Sequence, residues 1–297
     1  MIITNRLNLP EGFVKAVSTE KHNAPSSLSA TTLLQGVKQI ILTDRHWDAL
    51  EDDVSDRIWA IFGTAVHSLM ESEGENNFTE QVMPYQVGGI TVTGKIDNYD
   101  MKHGLIDDYK TASVNKVKFR NFDDWYLQGM IYAWLLRKNG FKAERCRFIA
   151  LLKDHSKTDA LRDSQYPKDP VYIYKFSVTM QGLFRIGIYI KNKVDEYKRC
   201  LSLPDDEIPP CTPEERWERP PKFAVMKNGL KRAVRLFDRR GDADLLVETK
   251  GAGHYVEYRP GESKKCRYYC LCKRFCNYYQ ESVLSAYQEP IDEPIAA

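Results

Sequence analysis

Three short motifs carry the residue types that metal-dependent phosphodiester cleavage requires. They are 94–97 (GKID), 108–110 (DYK) and the pair Gln128 and Tyr132. Carboxylates bind a hard divalent cation through oxygen, and a lysine beside them stabilises charge near the attacking water or the phosphate. The motifs therefore predict a site in which Asp97 and Asp108 bind Mg²⁺ or Mn²⁺ and Lys110 assists the chemistry.

The two acidic motifs are predicted to lie on neighbouring antiparallel strands. Residues 78–111 alternate in the manner of strands, and a turn is predicted at 101–104 (MKHG). Side chains two residues apart share a strand face, so Asp108 and Lys110 point one way and Asp107 points the other. This parity favours Asp108 as the metal ligand. An exposed hairpin with charges on its wet side stays open as the alternative on this motif alone.

Two helices are predicted beside these strands. One covers 122–138, where Gln128 and Tyr132 are four residues apart and lie on one face. The other covers 56–72 and carries His67. Its apolar stripe, expected to face the core, consists of Ile58, Ile61, Phe62, Ala65, Val66 and Leu69. A neutral imidazole is a competent ligand for Mn²⁺, although a lone helical histidine is more often structural.

Four motifs follow one another in a fixed order: 63–67 (GTAVH), 94–97 (GKID), 108–111 (DYKT) and Gln128 with Tyr132. In order, spacing and predicted secondary structure they resemble the RecB-like branch of the PD-(D/E)XK nuclease superfamily, over residues 28–145. The resemblance implies an α/β fold with a restriction-endonuclease-like core, in which helices flank a central mixed sheet. The metal ligands that it implies are His67, Asp97, Asp108 and the Tyr109 carbonyl. Lys110 would be the catalytic lysine, and Gln128 and Tyr132 would position the DNA or the lysine.

Four of the seven cysteines lie within eleven residues near the C-terminus. No signal peptide or long apolar run is visible, so we expect a cytosolic chain, in which clustered cysteines more often bind metal than form disulfides. Two ligand sets fit: Cys266, Cys270, Cys272 and Cys276, or the same set with Cys211 in place of Cys272. A four-cysteine site holds either Zn²⁺ or a [4Fe–4S] cluster, and free buried thiols are the third alternative.

The resemblance extends to this cysteine-rich region. RecB-like nucleases with a cluster typically place three cysteines at the C-terminus and one far upstream, and certain phage nucleases share 211–217 (CTPEERW) and 259–262 (RPGE). The ligands that it favours are Cys211, Cys266, Cys270 and Cys276, with a [4Fe–4S] cluster rather than structural Zn²⁺. Many cluster-bearing relatives have their first cysteine ahead of the histidine motif, whereas no cysteine precedes Cys146 here.

A small α+β module is predicted between Cys211 and Cys266. Strands are expected at 222–226, 233–237 and 254–258, a turn at Asn228 and Gly229, and a helix at 241–250. A run of basic residues accompanies these elements, namely Lys227, Lys231, Arg232, Arg235, Arg239 and Arg240. This run is either a solvated surface or a patch that follows DNA phosphates.

The chain is long enough for one large domain and a smaller module. The expected divisions are a flexible lead (1–27), a nuclease core (28–202), a cysteine-rich metal-binding module (203–284) and a frayed tail (285–297). Within the core, helices are expected from Ser29 toward Leu42 and over 181–200. A net charge of +2 excludes a global polycation, so DNA binding must come from local charge.

The leading functional hypothesis is a divalent-metal-dependent deoxyribonuclease, an exonuclease acting on DNA ends or single strands. The resemblance implies a role in recombination, repair or phage genome processing, in a bacterial or phage-infected host cytosol. No helicase motif is visible, so unwinding would need a helicase or recombination protein as partner. The alternatives are a catalytically inactive DNA-binding accessory protein and a zinc-stabilised interaction module. The complete set of acidic and basic residues counts against the accessory protein.

Overall fold

The computed structural model describes residues 1–17, 26–70 and 77–284. The chain divides into two compact units, Met1–Leu203 and Pro204–Ala297. The strands of the first unit are β1 (Ile2–Thr4), β2 (Ser27–Ser29), β3 (Glu51–Asp53), β4 (Asn77–Val87), β5 (Ile90–Asp100), β6 (Leu105–Ala112), β7 (Arg145–Leu152) and β8 (Val171–Ser177). Its helices are α1 (Glu11–Val17), α2 (Ala30–Leu33), α3 (Val37–Arg45), α4 (Ile58–Met70), α5 (Val114–Lys118), α6 (Asp123–Lys138), α7 (Lys157–Arg162) and α8 (Met180–Cys200).

A mixed six-stranded sheet forms the centre of the first unit. Strand β4 pairs antiparallel with β5 along its length, while β2 and β6 share the opposite edge of β5. The sheet continues from β6 to a parallel β7 and then to an antiparallel β8. Helices α2 and α6 pack against the sheet, and α8 packs on α6 and α3. The predicted central mixed sheet flanked by helices is confirmed.

The edge of β5 that β2 and β6 share is interrupted at residues 94–97. Pairing with β2 ends at Thr93, and pairing with β6 begins at Asn98, which lies opposite Asp107. Between these points, no described strand pairs with this edge. The GKID motif occupies this gap, and the turn predicted at 101–104 joins β5 to β6 as expected.

Helix α6 lies unusually close to the sheet because glycines occupy both contact surfaces. A Cβ atom at Gly94 of β5 would lie 2.7 Å from Leu135 Cδ1 and 2.9 Å from Tyr132 Cδ1. A Cβ atom at Gly129 of α6 would lie 2.9 Å from the rings of Phe148 and Phe176. These approaches are shorter than any side chain tolerates without displacing its neighbour. The glycines therefore let α6 carry its polar side chains down to the level of the strands.

The helix predictions agree with the structure, with one interruption. Helices α6 and α8 match the predicted spans 122–138 and 181–200 within one residue. The helix expected from Ser29 is two helices, because α2 ends at Leu33 and α3 begins after Gly36. The Ser29 side chain accepts a hydrogen bond from the Thr32 N–H and so caps α2.

The prediction that the apolar stripe of α4 faces the core is wrong. Among its six residues only Val66 is buried, while Phe62 is 40% and Leu69 82% exposed. Apolar residues extend around most of this helix, which also exposes Trp59 and Met70, so spacing alone did not define the buried face. The predicted C-terminal end of this helix, at 71–72, lies outside the described residues.

The predicted lead contains two elements that the sequence did not reveal. Strand β1 pairs parallel with β3, and α1 contacts α4. Such short elements are too brief for periodicity to signal them. The flexibility expected of 1–27 stays a prediction, and the predicted tail at 285–297 lies outside the described residues.

The second unit contains the strands and the helix expected there. Its strands are β9 (Glu218–Arg219), β10 (Lys222–Lys227), β11 (Arg235–Phe237), β12 (His254–Arg259) and β13 (Glu262–Ser263), and its helices are α9 (Arg240–Lys250) and α10 (Lys264–Tyr268). An antiparallel sheet has the order β11-β10-β12, with α9 packed against it. A second, two-stranded sheet joins β9 to β13. None of the described helices of either unit combines the length and the apolar character that crossing a membrane requires.

Candidate active site

The two adjacent aspartates of β6 lie on opposite faces of the sheet. Asp107 accepts two hydrogen bonds from Arg147, at 2.7 Å from Nε and 2.7 Å from Nη2, and a third from Asn98 at 3.3 Å. Asp108 points the other way, and its Oδ2 lies 2.5 Å from the Lys110 ammonium. Asp107 is thus satisfied in a structural ion pair, while Asp108 and Lys110 share the face that α6 covers.

Asp108 is held from α6 by a short chain of side chains. The Gln128 amide donates to Asp108 Oδ1 at 3.3 Å and to the Tyr132 hydroxyl at 2.7 Å. All three side chains are buried. The i, i+4 spacing therefore directs Gln128 and Tyr132 at the carboxylate, and their position in the structure is that of residues that orient Asp108.

Asp97 lies in the gap of the β5 edge and is held by a backbone group. The Tyr109 N–H donates to Asp97 Oδ2 at 2.8 Å, across the space where β5 and β6 no longer pair. His67 of α4 places its Nδ1 3.3 Å from Asp97 Oδ1. This hydrogen bond is the main reason why the pKa of His67 is raised. The predicted ligands His67 and Asp97 are thus in direct contact.

Glu80 of β4 joins this group, although no sequence motif marked it. The β4–β5 ladder pairs Thr79 with Asn98 and Gln81 with Ile96, so Glu80 and Asp97 face each other across a skipped position. Glu80 has φ 54°, in the left-handed region, which non-glycine residues rarely adopt. Its carboxylate ion pairs with Lys95. The register is the same on both sides of this position, and the two-residue turn at Gly88 and Gly89 sets it, since Val87 pairs with Ile90. This pair of glycines is therefore the sequence signal that could have placed Glu80 opposite Asp97.

The donor atoms present here fit a hard divalent cation. Among the described residues, one group of three His, Cys, Asp or Glu side chains has ligand atoms within 4.8 Å of one another, and it consists of His67, Glu80 and Asp97. Asp108 lies outside this tight group but interacts with the charges of Asp97 and His67. Its Oδ2 is fully buried and makes no hydrogen bond of regular geometry, since the Lys110 contact is an ion pair. Carboxylate oxygens with one imidazole suit Mg²⁺ or Mn²⁺.

Burial dominates the electrostatics of Asp108. It raises the pKa of this carboxyl to about 6, against the opposing attraction of Lys110. The negative charge of Asp97 raises the pKa of Asp108 further. Two carboxylates brought together in a dry site destabilise each other unless a cation neutralises them.

Three cysteines of the second unit lie around Cys266. Burial raises the pKa of Cys266 to about 12, and the neighbouring thiols of Cys270, Cys211 and Cys276 raise it in turn. Cys272 is buried, and its sulfur lies 3.5 Å from that of Cys270. The arrangement brings the distant Cys211 to the C-terminal cysteines, as the ligand set with Cys211 requires.

Four thiol sulfurs are the donor set of either predicted centre, a tetrahedral Zn²⁺ or a [4Fe–4S] cluster. Among the described residues, which include all seven cysteines, no three thiol sulfurs lie within 4.8 Å of one another.

The predicted basic run lies along the β10–β11 connection and the start of α9. All six of its members are exposed, namely Lys227, Lys231, Arg232, Arg235, Arg239 and Arg240. Arg235 lies over the Phe237 ring, 5.0 Å from its centroid. The structure is compatible with both a solvated surface and a phosphate-binding patch.

Comparisons with known proteins give only distant likenesses. No family model matches the chain, and no curated protein matches it. The solved structure of SSO0001 has a TM-score of 0.43 at 17% identity, over 62% of this chain and 82% of that one. The alkaline exonuclease LHK-Exo from Laribacter hongkongensis has a TM-score of 0.38 at 8% identity, over 65% of this chain and 94% of that one. A phage-related exonuclease from Haemophilus somnus 129PT has a TM-score of 0.31 at 11% identity, over 57% of this chain and 74% of that one. At these TM-scores none of these likenesses bears on function.

Replacing the buried carboxylate should stabilise the metal-free protein. The folded pKa of Asp108, about 6, exceeds its ordinary value of 3.8, so the native state binds more protons between pH 4 and 6. Its destabilising effect is therefore full above pH 6 and disappears as the pH falls toward 4. Without divalent cations, Asp108→Asn should raise the Tm by several degrees at pH 7.5 and by less at pH 5, measured by circular dichroism.

The adjacent aspartate provides the control for this experiment. Asp107→Asn breaks the ion pair with Arg147 on the other face of β6, so it should lower the Tm at both pH values. An Asp108→Asn variant that is less stable than the wild type at pH 7.5 would contradict the assignment of a destabilising buried charge.

Proposed function

We propose that this protein is a divalent-metal-dependent deoxyribonuclease whose active site lies in the gap of the β5 edge. One observation carries the proposal: the buried Asp108 carboxylate contacts the Lys110 ammonium at 2.5 Å and interacts with the charges of Asp97 and His67. Burial of Asp108 is unfavourable even beside Lys110, because loss of hydration outweighs the attraction and raises the pKa of this carboxyl to about 6. Stability of the fold therefore gives no reason for this arrangement. Hydrolysis of a phosphodiester needs both the acidic ligands and the cation.

Each residue has a distinct role in this proposal. His67, Glu80, Asp97 and Asp108 would hold Mg²⁺ or Mn²⁺, with the Tyr109 carbonyl as a further ligand. When bound, the cation supplies a Lewis acid for the phosphate and lowers the pKa of a coordinated water. Gln128 and Tyr132 orient the Asp108 carboxylate, and the Tyr109 N–H orients that of Asp97.

Lys110 acts on the phosphate or the water rather than on the fold. Its ammonium is partly exposed, and it lies over the Phe148 ring at 5.7 Å from the centroid. The strand and the ring fix the stem of the side chain, so the charge is preorganised where negative charge develops in the transition state. This is the contribution expected of the lysine in a PD-(D/E)XK nuclease.

The proposed nuclease branch, substrate and biological role rest on the resemblance of the sequence motifs to RecB-like nucleases. We propose a RecB-like exonuclease of the cluster-bearing branch, which acts on DNA ends or single strands in recombination, repair or phage genome processing. Its place would be the cytosol of a bacterium or of a phage-infected host, with a helicase or recombination protein as partner.

The second unit would carry a [4Fe–4S] cluster on Cys211, Cys266, Cys270 and Cys276. One observation supports the ligand set: Cys270, Cys211 and Cys276 lie near enough to Cys266 for their charges to raise its pKa. Structural Zn²⁺ is the alternative centre. Either centre would link 211–219 to the C-terminal segment, so its binding energy would be folding energy.

Metal binding should depend on Glu80 as well as on the motif residues. Glu80→Gln and Asp108→Asn should each weaken Mn²⁺ binding at least tenfold, since even residues that only orient ligands act on this scale. Isothermal titration calorimetry with Mn²⁺ measures this effect without any cleavage. Lys110→Ala is the matched control, because removal of a cation 2.5 Å from Asp108 should leave the affinity unchanged or raise it. Wild-type affinity in Glu80→Gln would remove Glu80 from the ligand set.

Cleavage should depend on Lys110 through the chemical step. Lys110→Ala should lower kcat about a hundredfold or more, which is the effect of removing one preorganised charge stabiliser. Steady-state assays on a linear DNA substrate with Mg²⁺ measure kcat and KM separately. Lys191→Ala, which removes a surface lysine paired with Asp195, should behave as the wild type. If Lys110→Ala changes KM alone, Lys110 only holds phosphate, and if the wild type never cleaves, the nuclease assignment fails.

The cysteine ligands can be separated from the surplus cysteine by metal content. Cys211→Ser should lose the centre, while Cys272→Ser should retain it. Anaerobically purified wild-type protein should be brown, with broad absorption near ~400 nm from an iron–sulfur cluster. Colourless protein with stoichiometric zinc would correct the metal and keep the site. Full metal content in Cys211→Ser with loss in Cys272→Ser would establish the local cysteine set instead.

A further inference from the structure

Three exposed aromatic side chains of the second unit form one contiguous surface. Trp217, Tyr268 and Tyr269 are 51%, 54% and 57% exposed. The rings of Trp217 and Tyr269 have centroids 5.4 Å apart, and those of Tyr268 and Tyr269 are 6.4 Å apart. We call these three residues the aromatic platform. Contiguous exposed apolar surface is a feature of binding sites, whereas singly exposed rings are ordinary.

Cationic side chains border the aromatic platform. The Lys265 ammonium lies 5.6 Å from the Trp217 ring centroid, and the Arg267 guanidinium lies 5.0 Å from that of Tyr268. Arg267 also ion pairs with Glu262 at 3.2 Å. Residues 263–280 contain five basic residues and no acidic one, the basic residues being Lys264, Lys265, Arg267, Lys273 and Arg274. The charge of this segment complements a polyanion.

Backbone contacts hold the aromatic platform in place. Trp217 has φ 53°, which a bulky side chain rarely adopts, and its N–H donates to the Glu214 carbonyl at 3.1 Å. The Lys265 N–H donates to the Arg216 carbonyl at 3.0 Å, which ties the segment of Trp217 to that of the two tyrosines. A strained residue that presents an exposed indole is maintained by its surroundings, as at many functional sites.

We propose that the aromatic platform stacks the unpaired bases of single-stranded DNA, while Lys265 and Arg267 contact its phosphates. Exposed rings offer a stacking surface to any base, and neighbouring cations follow the backbone. A blunt duplex presents its base faces only at its ends, so it does not use this surface in the same way. The choice of DNA over RNA rests on the proposed nuclease function, whereas stacking itself does not.

Fluorescence anisotropy with a labelled oligothymidylate tests the proposal, in buffer without added Mg²⁺ or Mn²⁺. Trp217→Ala and Tyr269→Ala should each weaken binding about tenfold, the effect of losing one stacked base. Tyr269→Phe, which keeps the ring, should restore wild-type affinity. Tyr255→Ala removes a comparably exposed ring of β12 outside the platform and should bind as the wild type. Lys265→Gln should reduce the salt dependence of binding by about 0.7 in slope.

The readouts separate this inference from the nuclease assignment, because binding is measured without cleavage. Thermal unfolding of each variant shows whether it is folded, and the difference between Tyr269→Ala and Tyr269→Phe, together with Lys265→Gln, decides the matter if Trp217→Ala unfolds. Unchanged oligothymidylate affinity in Tyr269→Ala would overturn the proposal. An equal loss on a blunt duplex of the same length would overturn it too, and tighter binding of the matching ribo-oligonucleotide would overturn the choice of DNA.

Discussion

The candidate active site depends on an interruption in hydrogen bonding along one edge of β5. Strands β2 and β6 both pair with this edge and leave residues 94–97 between them. An unpaired strand edge exposes backbone groups that need partners, and the Tyr109 N–H finds one in the Asp97 carboxylate. The same break frees Asp97 to approach His67. The geometry of the candidate site is therefore a consequence of incomplete strand pairing on this edge of β5, while β4 pairs with the other edge on both sides of Glu80.

The two faces of β6 place their aspartates in opposite environments. On one face Asp107 forms a bidentate pair with Arg147 and accepts from Asn98, which offsets the loss of hydration. On the other face Asp108 is fully buried, and one of its oxygens lacks a regular hydrogen bond. The close approach of α6, made possible by Gly94 and Gly129, excludes water there. The satisfied ion pair of Asp107 thus stabilises the strand that holds the unfavourably buried charge of Asp108. Such a local cost is expected at a functional site, where a bound cation would neutralise the carboxylate.

Sequence reasoning predicted what depends on local periodicity. The alternation of a strand predicted that Asp108 and Lys110 share one face and that Asp107 lies on the other. The helical repeat predicted that Gln128 and Tyr132 share one face of α6. Glu80 was missed because its place opposite Asp97 follows from the register of the β4–β5 hairpin, which is set by the turn at Gly88 and Gly89 and not by the motifs that contain the other site residues. The exposure of Leu69 was missed for a different reason. Helix α4 is apolar on several sides, and its tertiary neighbours decide which side is buried.

The second unit differs from the first because it has only a small core to hold the aromatic platform in place. Its central strand buries Ala224, Val225 and Met226, yet the aromatic platform lies on short elements, next to the two-residue strands β9 and β13. Elements this short are not stable by themselves. Cys266 and Cys270 enclose Arg267, Tyr268 and Tyr269 in the sequence, and Cys211 belongs to the segment that carries Trp217. A centre bound to these thiols would therefore fix both halves of the platform, so loss of metal should weaken binding of single strands before it affects the active site of the first unit.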